Sequence, residues 1–464
     1  MARFIAVMFK HIPVRLAILA SLSALLVNAC KTTDDKQRGD LISIDCKTTP
    51  PVRTDLEEDG KTILAQGPVD LGGEPCDKVA ASPKLRLGTV KNGKWSMYQN
   101  GKVFQTGAYA AGKKEGRWEV VSVNNNLVRV SNYVAGELDG EDLINFDKPE
   151  AIWKSKTTYQ KGLKNGAFTA RTTPEAKCIT EGNYRADQKN GRWRECKMHD
   201  ATKTDYLAFE GSYVEGMRSG PVKYFYPDAK TESQGSILAD TECTKKVEER
   251  YAEKFKDKEP GKDDKDERQR QLTACEKLIG AWIFYNPDGS KRAEGSYDDG
   301  KKNGTWNEYY RTGTRLGIGK YDKGKRMDWT FFDKSGSKIL DADFAGNPLM
   351  PKTVQIYAHG RLVGGGGVAM GTVKYTPDKD ALEIQEFSKK GEWTEYHSNG
   401  KISGKGPYSM NKRSGAWQLF DENGQLIAEG SYNMDKKHGD WREMKDGQFV
   451  TIKYFMGKVN TIGK

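Results

Sequence analysis

Histidine is scarce in this chain: five residues among 464, scattered as His11, His199, His359, His397 and His438. No Cys-x-x-Cys occurs, so the closely spaced sulfur and imidazole donors of a zinc site are missing. Beyond the first thirty residues no apolar run is long enough to cross a bilayer as a helix. The chain has no Gly-x-Ser-x-Gly, no His-Glu-x-x-His and no Walker sequence. Its formal charge of +11 is spread through Lys- and Asp-rich turns, not gathered into the dense patch that nucleic acid binding wants. The expectation is therefore no catalytic residue, no metal, no cofactor and no nucleic acid partner. Carboxylates are plentiful, so a glycosidase-type pair stays open, but nothing singles one out.

What the chain has is glycine, 50 residues, and aromatics set at a fixed interval. Trp282, Trp306 and Trp329 recur roughly every 24 residues, as do Trp393, Trp417 and Trp441, and Trp95 with Trp118. Trp193 holds the same repeat position. A Gly-x-Tyr segment precedes each intact copy and supplies a second aromatic row: Tyr109, Tyr133, Tyr184, Tyr213, Tyr297, Tyr321, Tyr408 and Tyr432. Glycine with Asp, Asn or Lys between the aromatic segments is hairpin-turn chemistry. Asp288-Gly289, Ser335-Gly336, Asn399-Gly400 and Asn423-Gly424 supply the next turn. Each unit is thus two short antiparallel strands, and Gly140, Phe168 and Val222 mark degenerate copies. The expected fold is all-β: an elongated antiparallel hairpin meander of roughly twelve units, interrupted by one charged helical hairpin.

The expected layout is residues 1–29 as an export signal, 30–85 as a tether and disulfide-closed cap, and 86–238 as a first block of repeats. A helical insertion at 239–278 and a second block at 279–464 follow. In the insertion Glu242 with Lys246, Asp264 with Arg268 and Asp266 with Arg270 form i, i+4 pairs. Val247, Tyr251 and Phe255 give it a thin apolar stripe. An irregular stretch at about 347–387 contains Gly364 to Gly367, read as a flexible loop or a damaged repeat.

The first 29 residues combine Arg3, Lys10 and Arg15 with an apolar run from Leu16 to Val27, the anatomy of a signal peptide. The sequence Leu26-Val27-Asn28-Ala29-Cys30 resembles the lipobox of bacterial lipoproteins, which implies lipidation of Cys30 and anchoring to a membrane. An ordinary secretory signal cut near Ala29 is the other reading. Lys31 in place of an Asp leans the resemblance towards the outer membrane. Six cysteines remain, Cys46, Cys76, Cys178, Cys196, Cys243 and Cys275, an even set that fits disulfides in an oxidising compartment. Sequence does not choose the connectivity; joining neighbours, 46 to 76, 178 to 196 and 243 to 275, is the economical pairing.

Gly391-Glu392-Trp393-Thr394-Glu395-Tyr396, then Asn399-Gly400, then Gly406-Pro407-Tyr408 resembles bacterial MORN-type repeats, in particular the variant grouped with the YwqK antitoxin-like family. The resemblance implies a repeat fold over most of residues 86–460 and is silent on catalysis. Three functional readings follow. One is a scaffold for another envelope protein. A second is peptidoglycan or polysaccharide binding by stacking on the repeated Trp and Tyr rings. The third, an antitoxin-like partner of a toxin, fits poorly with export.

Overall fold

The computed structural model describes residue 38, residues 40–376 (backbone alone at 375) and residues 379–460. The export segment and Cys30 lie outside the described residues. The chain forms two compact units, Met1–Lys164 and Asn165–Lys464. Each is an antiparallel meander in which most strands pair with the next long strand in sequence.

The turns carry the register. In the unit around Trp306, strand Lys291–Asp298 returns as strand Lys301–Tyr309, with Asp298 paired to Lys301. The two residues between them, Asp299 and Gly300, have φ of 48° and 74°. That is the mirror-image turn whose twist matches a right-handed strand pair. The connections at Gly289, Gly336, Gly400 and Gly424 close differently: each glycine N–H donates to the carbonyl three residues back, at 2.9–3.0 Å. Asp288, Asp333, Asn399 and Asp421 brace those turns through their side chains.

Glycine in Gly-x-Tyr is a seat. Trp306 lies flat on Gly295, Trp118 on Gly107, Trp193 on Gly182, Trp417 on Gly406 and Trp441 on Gly430, and a Cβ at any of these glycines would fall within 3.0 Å of indole atoms. The indole N–H then donates to the carbonyl of the next residue, ten positions back along the chain, at 2.8–3.1 Å. Removing the side chain at one position therefore makes room for the largest side chain at another. The buried polar atom of the indole is satisfied in the same step. Trp95, Trp282 and Trp393 repeat the arrangement on Gly67, Gly235 and Gly366 across longer connections. Trp329, on Gly319, finds no acceptor for its N–H among the described residues. All nine of these tryptophans are at most 3 % exposed. They form the core with the tyrosine rings, which meet them edge-on: Tyr109 stands 6.0 Å from Trp95 and 5.0 Å from Trp118.

Several expectations are corrected here. The first seat, Gly67, lies inside the stretch assigned to the tether and cap, so the repeat pattern starts before residue 86. The cap proper consists of strands Ile42–Asp45 and Val52–Leu56 with helices α1 (Cys76–Ala81) and α2 (Pro83–Gly88). Gly364 to Gly367 form no loop. They lie in strand Arg361–Met370, paired to Thr353–Ala358 on one side and Ser388–Tyr396 on the other, where added Cβ atoms at Gly365 and Gly367 would meet backbone carbonyls. Of the irregular stretch, Val373–Thr376 and Ala381–Ile384 make a separate hairpin.

One degenerate unit replaces the indole and its seat by a polar pair. Asp142 stands where Trp belongs and Ser131 where glycine belongs, and Ser131 Oγ donates to Asp142 Oδ1 at 2.5 Å. Arg129 clasps the same carboxylate through Nε at 2.8 Å and Nη2 at 3.2 Å. A buried carboxylate is tolerable there because both oxygens are bonded.

In the second unit the insertion forms helices α3 (Thr241–Lys254) and α4 (Lys262–Ala274), capped at its start by Asp240, whose side chain accepts from the Cys243 N–H. Only the Glu242–Lys246 pair keeps its expected partner. Arg268 reaches across to Glu248 on α3 and Asp264 to Lys254, while Arg270 pairs with Glu267. Packing the helices side by side offers Arg268 and Asp264 closer partners than their own helix does.

Candidate functional site

The repeated Trp and Tyr rings do not make a platform. Seven of the nine indoles, flat on a glycine on one side, are covered on the other by a cation four residues upstream; Trp329 meets Arg326, three residues upstream, at 4.3 Å, and Trp282 has Leu278 in the place of the cation. Lys91 Nζ stands 4.1 Å from the Trp95 ring, Lys114 4.2 Å from Trp118, Lys189 4.6 Å from Trp193 and Lys302 3.9 Å from Trp306. Lys389, Arg413 and Lys437 cover Trp393, Trp417 and Trp441 at 4.7, 4.8 and 4.5 Å. The same cation also faces the tyrosine of the following strand, as Lys302 does Tyr321 at 5.0 Å. This corrects the stacking role considered for the tryptophans: a sugar has no open indole face to meet. Burial holds the Lys91, Lys114 and Lys302 ammonium groups below the usual lysine range. The signal was in the sequence, as the lysine of Lys-x-Gly-x-Trp. It passed for ordinary turn charge.

Two residues beyond the indole, several units carry a glutamate on the same face. Tyr213 Oη donates to Glu195 Oε1 at 2.7 Å, and Tyr408 Oη to Glu395 Oε1 at 2.6 Å. Lys189 pairs with Glu195 at 2.6 Å and Lys437 with Glu443 at 2.5 Å. Burial alone would raise the Glu195 carboxyl, but Lys189 and the Tyr213 hydroxyl outweigh it and the carboxyl sits below its ordinary range. The same balance, with Lys437 and Tyr454, lowers Glu443.

At one place in the second unit this charged aromatic face opens into a cleft of about 590 Å³, floored by the sheet and walled by α3 and α4. Lys189, Glu195, Tyr213, Arg218 and Glu276 form the floor, and Glu248 with Arg268 the wall. Arg218 Nη1 donates to Tyr224 Oη at 2.8 Å and stands 3.9 Å from Glu276 Oε2, whose other oxygen accepts from the Arg218 N–H at 2.9 Å. Arg268 holds Glu248 through two bonds of 2.8 and 2.5 Å. Burial raises the Glu276 carboxyl, Arg218 only partly offsetting it, while burial and Glu195 together push the Tyr213 hydroxyl far up. The arm is fixed at its base by a Cys243–Cys275 disulfide, beside which Met217, Val247 and Leu272 pack.

The other cysteines pair as Cys46–Cys76 and Cys178–Cys196. Among the described residues no group of His, Cys, Asp and Glu could hold a metal ion, and no helix is long and apolar enough to cross a membrane. Phe168 and Tyr184 belong to the aromatic core beside Trp193. Tyr133, Tyr297, Tyr321 and Tyr432 stand edge-on to Trp118, Trp306, Trp329 and Trp417. Sequence reading found the ring positions but not the cleft, whose residues run from Tyr184 to Glu276 and meet only in the fold.

Comparison with known proteins gives a MORN repeat variant at residues 389–410 and 413–434, so the repeats there are of MORN type. No curated protein matches the chain. Among solved structures, the chain is similar to the Photorhabdus luminescens Tc holotoxin pore at 11 % identity, over 93 % of this chain and 20 % of that one, with a TM-score of 0.15. A TcdB2-TccC3-Cdc42 structure matches at 10 % identity, over 88 % of this chain and 20 % of that one, with a TM-score of 0.14. The chain spans about a fifth of the length of those proteins. At such scores the likeness carries no argument.

Proposed function

We propose that this protein is a non-enzymatic binding scaffold, exported and tethered by lipid at Cys30, whose repeat sheet carries another protein of the bacterial envelope. The observation that supports the reading is the division of labour between the two faces of the sheet. On one face the glycines, indoles, cations and tyrosines are spent on each other. The opposite face repeats rows of charged and hydroxylated side chains. Arg192 with Glu210, Arg194 with Glu181, Lys291 and Tyr309 with Glu294, and Arg442 with Glu429 are examples. Thr330, Tyr357 and Lys338 gather on Asp341 in the same way. A polar surface that recurs from unit to unit is what an extended protein interface needs. The export segment and Cys30 supply the place.

Crosslinking in the native cells, purification from the envelope fraction and mass spectrometry of the adducts test the proposal. One recurrent protein partner, lost when residues of the polar face are reversed in charge, is the expected result. Muropeptides or polysaccharide with no recurrent protein would overturn it. Labelling with a lipid precursor, abolished by Cys30→Ala, checks the anchor.

A further inference from the structure

The cleft beneath the helical arm opens on the inner face of the second unit, and its lining differs from the polar face. We propose that it binds a neutral polyhydroxylated ligand, a short stretch of an oligosaccharide chain. The volume of about 590 Å³ falls in the range of small-molecule sites, about 300–1,000 Å³.

Three features select the class. First, the three cations of the lining, Lys189, Arg218 and Arg268, are each tied to a carboxylate, Glu195, Glu276 and Glu248. No uncompensated positive charge is left to attract a phosphate or a uronate. Second, pairing fixes these groups without exhausting them. A carboxylate has about four lone-pair positions and a guanidinium five N–H groups, and the bonds described use only part of each set. Donors and acceptors therefore stand side by side at fixed places, with Gln188, Gln269, Thr244 and Thr273 among them. A sugar hydroxyl both donates and accepts, so a neutral sugar satisfies such an array where an ion satisfies half of it. Third, Tyr184 brings ring surface to the lining, and Glu215 adds negative charge to it that opposes polyanions.

The arm is part of the site because its wall residues have no counterpart in the repeat. Glu248 and Arg268 arrive by insertion, and the disulfide at the base sets where they stand. The proposal does not rest on the scaffold reading, since the cleft and the polar face are on opposite sides of the sheet.

Saturation-transfer NMR and calorimetry on the full mature chain, with cellotetraose, maltotetraose, chitotetraose and mannotetraose as neutral probes and hyaluronan fragments as the anionic one, decide the matter. At least one neutral probe is expected to bind, with an affinity unchanged between low and high salt. The arm double variant E248Q/R268Q should weaken it about tenfold or more, the size set by hydrogen bonds to charged groups, while the melting temperature stays within a few degrees. Failure of every neutral probe overturns the proposal. So does salt-sensitive binding of the anionic probe, or neutral binding that E248Q/R268Q leaves untouched. Neither result bears on whether a protein partner is crosslinked to the polar face.

Discussion

At the scale of single residues, the repeat is held by a size exchange between glycine and tryptophan. Gly295 has ordinary backbone angles, so Gly295→Ala should cost stability through its methyl alone, by about 1–3 kcal/mol or more. Trp306→Ala should cost about 3–5 kcal/mol. In the double variant the methyl meets no indole, and the two losses should fall well short of adding. Urea unfolding of the four proteins closes the cycle; simple additivity would show that the seat is not the reason for the glycine. The cation above the indole makes a second case. Burial depresses the Lys302 ammonium, a sign that its charge is held there at a cost. Leu278 occupies the equivalent place four residues before Trp282 and packs among the core residues of its own unit. Lys302→Leu should therefore leave the melting temperature unchanged or raise it. A fall of more than a few degrees would mean that the cation–ring contact outweighs the desolvation of the charge.

At the scale of elements, the Trp period and the turn glycines were legible because each depends on neighbours near in sequence. The helical arm was legible as a charged hairpin for the same reason, but its ion pairs were not. Glu248 and Arg268 are matched by the angle at which two helices pack, and no spacing encodes that angle. The cleft was hidden likewise, being floored by four strands and walled by an insertion. The arm carries its own prediction. By the chain-entropy estimate a bridge closing a loop of this length, sequence separation 32, stabilises by about 3.7 kcal/mol. In C243S/C275S that loss should fall on the arm, seen as faster tryptic cleavage within residues 241–274 while fragments of the remaining repeats stay resistant. Cleavage spread evenly through the second unit would instead make the bridge a support of the sheet.

At the scale of the whole molecule, acid tests the carboxylates together. Glu195, Glu294, Asp341 and Glu443 are all held below their ordinary values, with Lys189, Lys291, Lys338 and Lys437 among the groups that lower them. A group with a depressed folded value binds its proton more readily when unfolded, so its contribution is complete above the ordinary carboxylate range. It is lost as pH falls through the depressed folded values. Glu276 and Glu232 are raised by burial and work the other way, losing stability as pH rises from the ordinary value through the raised one. The lowered groups outnumber the raised ones, and thermal melts between pH 7 and pH 3 should show a net fall towards acid. The fall should be shallower in the E195Q/E443Q variant.

The distance along the chain between an indole and the carbonyl it bonds has a consequence for the order in which the protein forms. In five hairpins that distance is ten residues, so the contact that buries the largest side chain is nearly as local as a helical turn. A chain emerging from a narrow exit can finish such a hairpin before the next one arrives, with a low loop-closure cost each time. Three indoles break this economy, reaching back 27, 46 and 26 residues. Trp282, the farthest, is separated from its partner by the helical arm, and the Cys243–Cys275 bridge pinches that detour almost shut. The oxidant that closes the bridge therefore shortens the slowest search in the sequence. Refolding of the second unit should be delayed in reducing buffer at the step that quenches Trp282, while the uninterrupted hairpins keep their pace.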